Sequence, residues 1–504
     1  MKHLTKKLDW LTTLVPFLCI LFLCILFIAF PEGSSSVLGS IRFFLGDQFG
    51  SFYLLMGLGA LFCSLYAAFS RFGSIRLGGG QPPRYSNLQW GSMMFTAGLA
   101  ADILFYSLCE WMLYAGEPHI SDMGSVQDWV SVYPLFHWGP IPWSFYIILA
   151  VAFGFMLHVR KQNRQKYSEA CRPVLGKRVD GVLGRIIDLT AVFALLAGTA
   201  TTFSLATPLL SMALSRVTGI PETPSFTIAI LIAICIVYTM AVYFGMKGVA
   251  RLASSCVGLF FVLLAYFFFG GGEMRYIAET GLTSLGNLFH NFIPLATWTD
   301  ALRTSSFPQN WTIFYWAYWM VWCVATPFFI GSISQGRTIR QTVLGGYFFG
   351  LSGTFTSFII LGNYGLSLQM HGRLDLMAIY NQSQNLYEAI MAIFETMPLA
   401  KAGLLLLALT MIAFYATSFD ALTMVASSYS YRSLDGTQEP DRFIKLFWAV
   451  TLMLLPIALI FSENSMNSLQ TVSIIAAFPI SFIILLIIWS FFKDAGSYLN
   501  ETKK

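Results

Sequence analysis

Charge is what this sequence has least of. Only 11% of its 504 residues are Asp, Glu, Lys or Arg, against roughly 25% in a soluble domain. That scarcity excludes an ordinary water-soluble fold. With 56% hydrophobic residues and a mean hydropathy of +0.66, the chain reads as an all-α polytopic membrane protein. No basic run interleaves with soluble structure, so no nucleic-acid partner is expected. The eight cysteines are Cys19, Cys24, Cys63, Cys109, Cys171, Cys235, Cys256 and Cys323, with no CxxC pair among them. Most lie in apolar segments and read as small core residues, not as a disulfide framework or metal site. The six histidines show no HxxxH or HExxH spacing. Nucleophile elbows and phosphate loops are missing too, which argues against a membrane enzyme. No cofactor is expected.

What is there is apolar sequence in span-length pieces. Lys2, Lys6 and Lys7 precede the run from Trp10 to Phe30, which is too long for a signal-peptide core and long enough to cross a bilayer. About twelve spans are predicted, near 10–30, 51–70, 90–115, 136–158, 184–213, 225–245, 250–270, 311–333, 341–362, 402–425, 444–463 and 470–492. With an inside N-terminus, 24 of the 30 basic residues fall on the cytoplasmic side. The outer side keeps Arg42, Arg216, Arg275, Arg303, Arg373 and Lys401. That asymmetry follows the positive-inside rule and predicts two cytoplasmic termini. Two further intervals, Glu273 to Ile293 and Asp375 to Met397, are too polar to span but keep helical apolar spacing. Both are expected as amphipathic helices on the outer membrane surface, in contact with lipid.

The stretch Trp311 to Ile333 (WTIFYWAYWMVWCVATPFFIGSI) holds no charge and four tryptophans in its first twelve residues. Tyr315, Tyr318, Trp319 and Trp322 follow i, i+3, i+4, i+7 and are expected on one helical face. A second cluster, FHWGPIPWSFY at 136–146, opens span four with Trp138, Trp143 and Tyr146. A wall of rings suits a cation that carries methyl groups in place of N–H donors. Helix packing and interfacial anchoring explain the same residue types, and the residues alone leave both readings open.

The pair FHWGPIPWSFY and WTIFYWAYWMVW…ISQGRTIRQ resembles the betaine/choline/carnitine transporter (BCCT) family over nearly the whole chain. The resemblance implies a leucine-transporter-like fold of two inverted five-helix repeats, spans three to seven and eight to twelve. The chain then divides into 1–89 (tail and two leading helices), 90–272 (first repeat), 273–310 (outer-surface helix), 311–492 (second repeat) and 493–504 (short cytoplasmic tail). The first helix of each repeat is expected to be broken beside the substrate. The family's aromatic box for a trimethylammonium group falls on Trp138, Trp143, Tyr146, Trp319 and Trp322. Tyr318 stands where tryptophan is usual and alters the outer edge. The gating loop appears as Ser334 to Gln341, without one Arg and one Glu of the family pattern. The resemblance also implies a bacterial inner-membrane importer and a homotrimer. The short tail favours nutrient uptake over osmotic control.

Span three departs most from the family. It reads Ala97-Gly98-Leu99-Ala100-Ala101-Asp102, and Asp102 falls where many betaine carriers have glycine. An ionisable residue at mid-membrane is costly and is a functional candidate by default. As a carboxylate, Asp102 suits a cationic substrate such as choline; as an acid it suits a coupling proton. Thr417 and Ser418 on span ten resemble the family's sodium site, where hydroxyls suit a hard cation. Near the position of the sodium-independent antiporters' arginine stands Cys256. Thr326, one turn past Trp322 and before Pro327, is a candidate hydrogen-bonding partner for substrate. Glu110 is a further candidate, expected at the outer water boundary. The rarer feature, Asp102, favours proton-coupled symport of a choline-like quaternary-ammonium compound. Sodium-coupled betaine or carnitine symport and carnitine/γ-butyrobetaine exchange are the alternatives; a channel is the rival outside the class.

Overall fold

The computed structural model describes residues 8–502 except 99, 163, 245–246, 433, 435–438 and 462–465. At 31, 239, 241–244, 247–254, 416–417, 420, 461 and 466–470 it describes the backbone course alone. Helices dominate, and no strand occurs among the described residues; extended pairing is limited to isolated bridges, Leu8 with Tyr431 and Arg76 with Thr338. The long helices are α1 (Trp10–Ala29), α2 (Gly50–Phe69), α3 (Asn87–Ala97), α4 (Ala101–Ala115), α5 (Pro140–His158) and α6 (Val182–Thr218). They continue with α7 (Pro224–Phe244), α8 (Lys247–Gly270), α9 (Met274–Thr297), α10 (Ile313–Trp322), α11 (Thr326–Ile333) and α12 (Ile339–Ser357). The last three are α13 (Ala400–Tyr429), α14 (Arg442–Phe461) and α15 (Met466–Glu501). Among the described residues, seven helices are long and apolar enough to cross a membrane, or up to ten if each bent pair is one span.

Burial sorts these helices by environment. On α1 the side chains of Leu18, Phe22, Ile25 and Ile28 are exposed at helical spacing. On α2 the same holds for Leu55, Phe62, Tyr66 and Phe69. Apolar stripes this long cannot face water and mark a lipid-facing surface. Helix α5 is the opposite case: every residue from Ile141 to Met156 is buried. A helix apolar on all sides belongs inside the bundle, and α5 is where the first aromatic cluster begins.

Three breaks shape the bundle. Helix α3 starts at a capping box, Ser86 with Gln89, and stops at Gly98. Ala100 is extended, and α4 leaves at 62° to α3. Helix α10 ends at Trp322, and α11 restarts at Thr326 with Pro327 in its first turn, bent by 57°. A proline lacks the N–H that would continue the preceding turn, so it is tolerated at a restart. The freed carbonyl of Cys323 accepts a hydrogen bond from the Tyr167 hydroxyl at 2.6 Å. Helices α8 and α9 meet at 111° across Gly271 and Gly272, the latter at φ +78°. Helix α9 is the first expected amphipathic segment. The second, expected as one helix, is two: Leu376–Ser383 and Leu386–Glu395. Gln384 adopts the left-handed conformation between them, and the Asn385 side chain caps the second.

Helices α5 and α11 pack backbone to backbone. A Cβ added to Gly331 would lie 2.8 Å from both the Ala150 carbonyl oxygen and the Gly154 nitrogen. One turn away, the rings of Phe153 and Phe328 stack at 3.7 Å. Small residues permit this approach, as at membrane helix interfaces generally. Gly331→Ala should therefore destabilise the protein by about 1–3 kcal/mol, read as a lower melting temperature by fluorescence-detected size exclusion. Gly59→Ala, at a helical glycine with nothing within 4 Å, should not lower it.

Candidate functional site

The site is built where α5 begins and α10 ends. Trp138 terminates the short helix Val132–His137, Gly139 turns the chain, and Pro140 and Pro142 start α5. The first turns of α5 then present Trp143 and Tyr146. From the other side α10 presents Tyr318 and Trp319. The Trp319 ring lies 5.6 Å from Trp138, 5.5 Å from Trp143 and 4.8 Å from Tyr146. Tyr318 lies 6.5 Å from Trp138. All five rings are buried. Trp143 occupies a slot made by two missing side chains. A Cβ at Gly98 would come within 2.3 Å of its ring, and one at Gly350 on α12 within 2.6 Å. Thr326 opens α11 at the restart of the broken helix, with Pro327 beside it.

One expected member stands apart. Trp322 makes no ring contact with the other five-ring members among the described residues; it leans on α6, with a Cβ at Gly198 only 3.3 Å from its indole. Trp322 is the last residue of α10, and the packing of α6 against that end takes its ring. Ser418 is half-buried on α13, while the side chains of Thr417 and Asp420 lie outside the described residues. Cys256 is buried on α8.

Asp102 lies in the first turn of α4, just past the break, and is 3% exposed. The Tyr318 hydroxyl donates to its Oδ2, and Thr202 Oγ1 lies 3.3 Å from the same oxygen. Thr202 and Tyr318 are themselves 2.5 Å apart. The start of α4 adds the positive end of a helix dipole. Among the described residues, the partners of Asp102 are hydroxyls and not cations. A buried carboxyl without an ion partner beside five rings is an arrangement that lacks a positive charge.

Glu110 is the residue sequence reasoning undervalued. Expected at the water boundary, it is instead 0% exposed. Its Oε2 accepts the Trp138 indole N–H at 2.7 Å, and its Oε1 accepts the Tyr114 hydroxyl at 2.6 Å. Asp102, Tyr106, Glu110 and Tyr114 recur every four residues, so the α4 face toward the rings was readable from spacing. The loop Ser334–Gln341 uses its arginines without carboxylates. Arg337 stacks 4.0 Å from the Trp90 ring and donates to Asn87 at 2.9 Å. Arg340 donates to the Ala68 carbonyl at 3.0 Å.

The model of the betaine/carnitine/choline family transporters matches residues 11–499. The chain belongs to the BCCT family. It is a multi-pass membrane transporter of the quaternary-ammonium class, and not an enzyme. Similar BCCT proteins include the "Carnitine transporter" of Acinetobacter baumannii, 29% identical over 86% of this chain and 79% of the relative. The "Probable glycine betaine transporter" of Desulfitobacterium hafniense is 30% identical over 93% of each. The "High-affinity choline transport protein" of Escherichia coli K12 is 28% identical over 95% of this chain and 70% of the relative.

For this BCCT transporter the two-glycine slot yields a direct check. Gly350→Ala should displace Trp143 and weaken binding of tetramethylammonium by about tenfold, read by quenching of intrinsic fluorescence in the purified chain. Gly286→Ala, at a glycine with open space, should leave the affinity unchanged. Unaltered affinity in Gly350→Ala would remove Trp143 from the binding surface.

Proposed function

We propose that this chain imports choline by proton-coupled symport across a bacterial inner membrane. The observation that carries the reading is Asp102, buried without a cationic partner beside the five rings. The methylammonium head is held by Trp138, Trp143, Tyr146, Tyr318 and Trp319. Each cation–π contact contributes about 0.5–2 kcal/mol, so several rings are needed to offset desolvation of the head group. Thr326 meets the substrate hydroxyl.

Asp102 as a carboxylate draws in the cationic head group and then takes the coupling proton. As a carboxylate it holds the Tyr318 hydroxyl; protonated, it releases that hydroxyl and lets the Tyr318 ring close on the head group. The neutral carboxyl then donates to the hydroxyl of choline. A substrate that brings its own carboxylate, such as betaine or carnitine, would meet the unprotonated Asp102 as a like charge on entry, which disfavours it.

The architecture proposed is twelve spans with both termini cytoplasmic, in two inverted five-helix repeats at 90–272 and 311–492. Helices α3–α4 and α10–α11, broken at mid-span, support that assignment. Rocking of the repeats exposes the site to each side in turn. The assembly proposed is a homotrimer with α9 at the contacts. The relatives are named for carnitine, glycine betaine and choline, and Asp102 is the feature that favours choline among these.

Labelled choline and carnitine uptake into proteoliposomes tests the proposal, with proton and sodium gradients imposed separately. Choline should accumulate under the proton gradient, and Asp102→Gly should abolish that response. Uptake driven by sodium and indifferent to Asp102 would move coupling to Thr417 and Ser418. Exchange of preloaded carnitine without response to either gradient would overturn symport.

A further inference from the structure

Of the three tryptophans in the cage, one has its indole fixed. The Nε1 atoms of Trp143 and Trp319 are buried and have no hydrogen-bond partner among the described residues. The Nε1 of Trp138 donates to Glu110 at 2.7 Å. A hydrogen bond to a buried carboxylate is among the stronger ones a side chain makes.

Glu110 does not stand alone. Its other oxygen accepts the Tyr114 hydroxyl at 2.6 Å, and that hydroxyl lies 2.7 Å from His137 Nδ1. His137 Nε2 lies 3.0 Å from Thr312 Oγ1. With Glu110 as the acceptor, Tyr114 donates to it and the His137 Nδ1–H donates to the Tyr114 oxygen. Thr312 meets the other ring nitrogen, so both nitrogens of His137 are engaged. Its ring stacks on Tyr315 at 4.6 Å and 15°, and Tyr315 in turn lies 5.9 Å from Trp138. The chain runs from α4, through the turn before α5, to the segment Pro308–Thr312 that leads into α10.

We infer that Glu110 is a positioning residue that fixes the Trp138 ring in the cage, resting on the reading of the five rings as the substrate site. A rotation of Trp138 would strand a buried indole N–H and an oxygen of a buried carboxylate together. The ring is thus held against the turn of α5 while its neighbours Trp143 and Trp319 are held by packing alone. Trp138 is the fixed wall against which the head group is pressed. His137 and Tyr114 hold Glu110 in turn, so Thr312 on the far side senses the same orientation.

The test compares Glu110→Leu and Glu110→Gln, each alone and in a Trp138→Phe background, in the full chain. Choline chloride is the probe. Glu110→Leu should raise the KM for choline by about tenfold, carried by KM more than by Vmax. Glu110→Gln keeps an acceptor and should cost about threefold or less. In the Trp138→Phe background, which has no indole N–H, Glu110→Leu should add under about twofold. Ultraviolet resonance Raman supplies a readout independent of substrate. The indole N–H band assigned to Trp138, by difference against Trp138→Phe, should move toward that of a free indole in Glu110→Leu and part-way in Glu110→Gln. An unmoved band, or equal losses in the two backgrounds, would overturn the inference. If Glu110→Leu does not fold, the part-way shift in Glu110→Gln decides alone. Failure of the parent chain to bind choline, carnitine or betaine would sink the substrate reading, and the band would still decide the role of Glu110.

Discussion

A helix broken inside a bilayer must find new partners for the backbone groups it frees, because no water is at hand to take them. Much of this structure follows from that constraint. At the α10–α11 break, the Cys323 carbonyl takes the Tyr167 hydroxyl from the loop that follows α5. At the α3–α4 break, the start of α4 carries Asp102 in its first turn, a carboxyl at the positive end of a helix. The two breaks face each other through Tyr318, which belongs to α10 and bonds to Asp102. The aromatic rings and the buried carboxyl are therefore parts of one solution to interrupted helices.

Packing around the rings depends on absent side chains as much as on present ones. Gly98 and Gly350 leave the space that Trp143 fills, and Gly198 leaves room for Trp322. The first of these glycines also ends α3, so one residue both stops a helix and shapes the cage. The neighbouring carboxyls divide the labour. Asp102 is held by hydroxyls that can change partners, whereas Glu110 is bonded at both oxygens within a chain of five side chains.

Much of this was legible in the sequence. Scarce charge and span-length apolar runs gave the class, and two motifs rich in Trp and Tyr pointed to the rings that meet. Asp102 stood out because an acid in an apolar run has few innocent explanations. What was not legible depended on tertiary contacts and on where helices stop. Trp322 makes no ring contact with the cluster because its indole packs on α6 at Gly198, a tertiary contact that helical spacing does not reveal. The interval 375–397 became two helices because Gln384 takes a left-handed turn that composition does not signal. The burial of Glu110, expected at the water boundary, comes from tertiary contacts with residues 27 and 28 positions away, His137 and Trp138.

The contact between α5 and α11 has a mechanical side. Around Gly154 and Gly331 the two helices touch through main chain. An interlocked interface resists displacement along its axis, since each side chain must climb out of its socket before moving. A bare-backbone seam has no such sockets, and the flat faces of Phe153 and Phe328, 10° from parallel, can shear over one another at nearly constant separation. The joint is tight against pulling apart and slack against sliding, the property of a rail more than of a hinge.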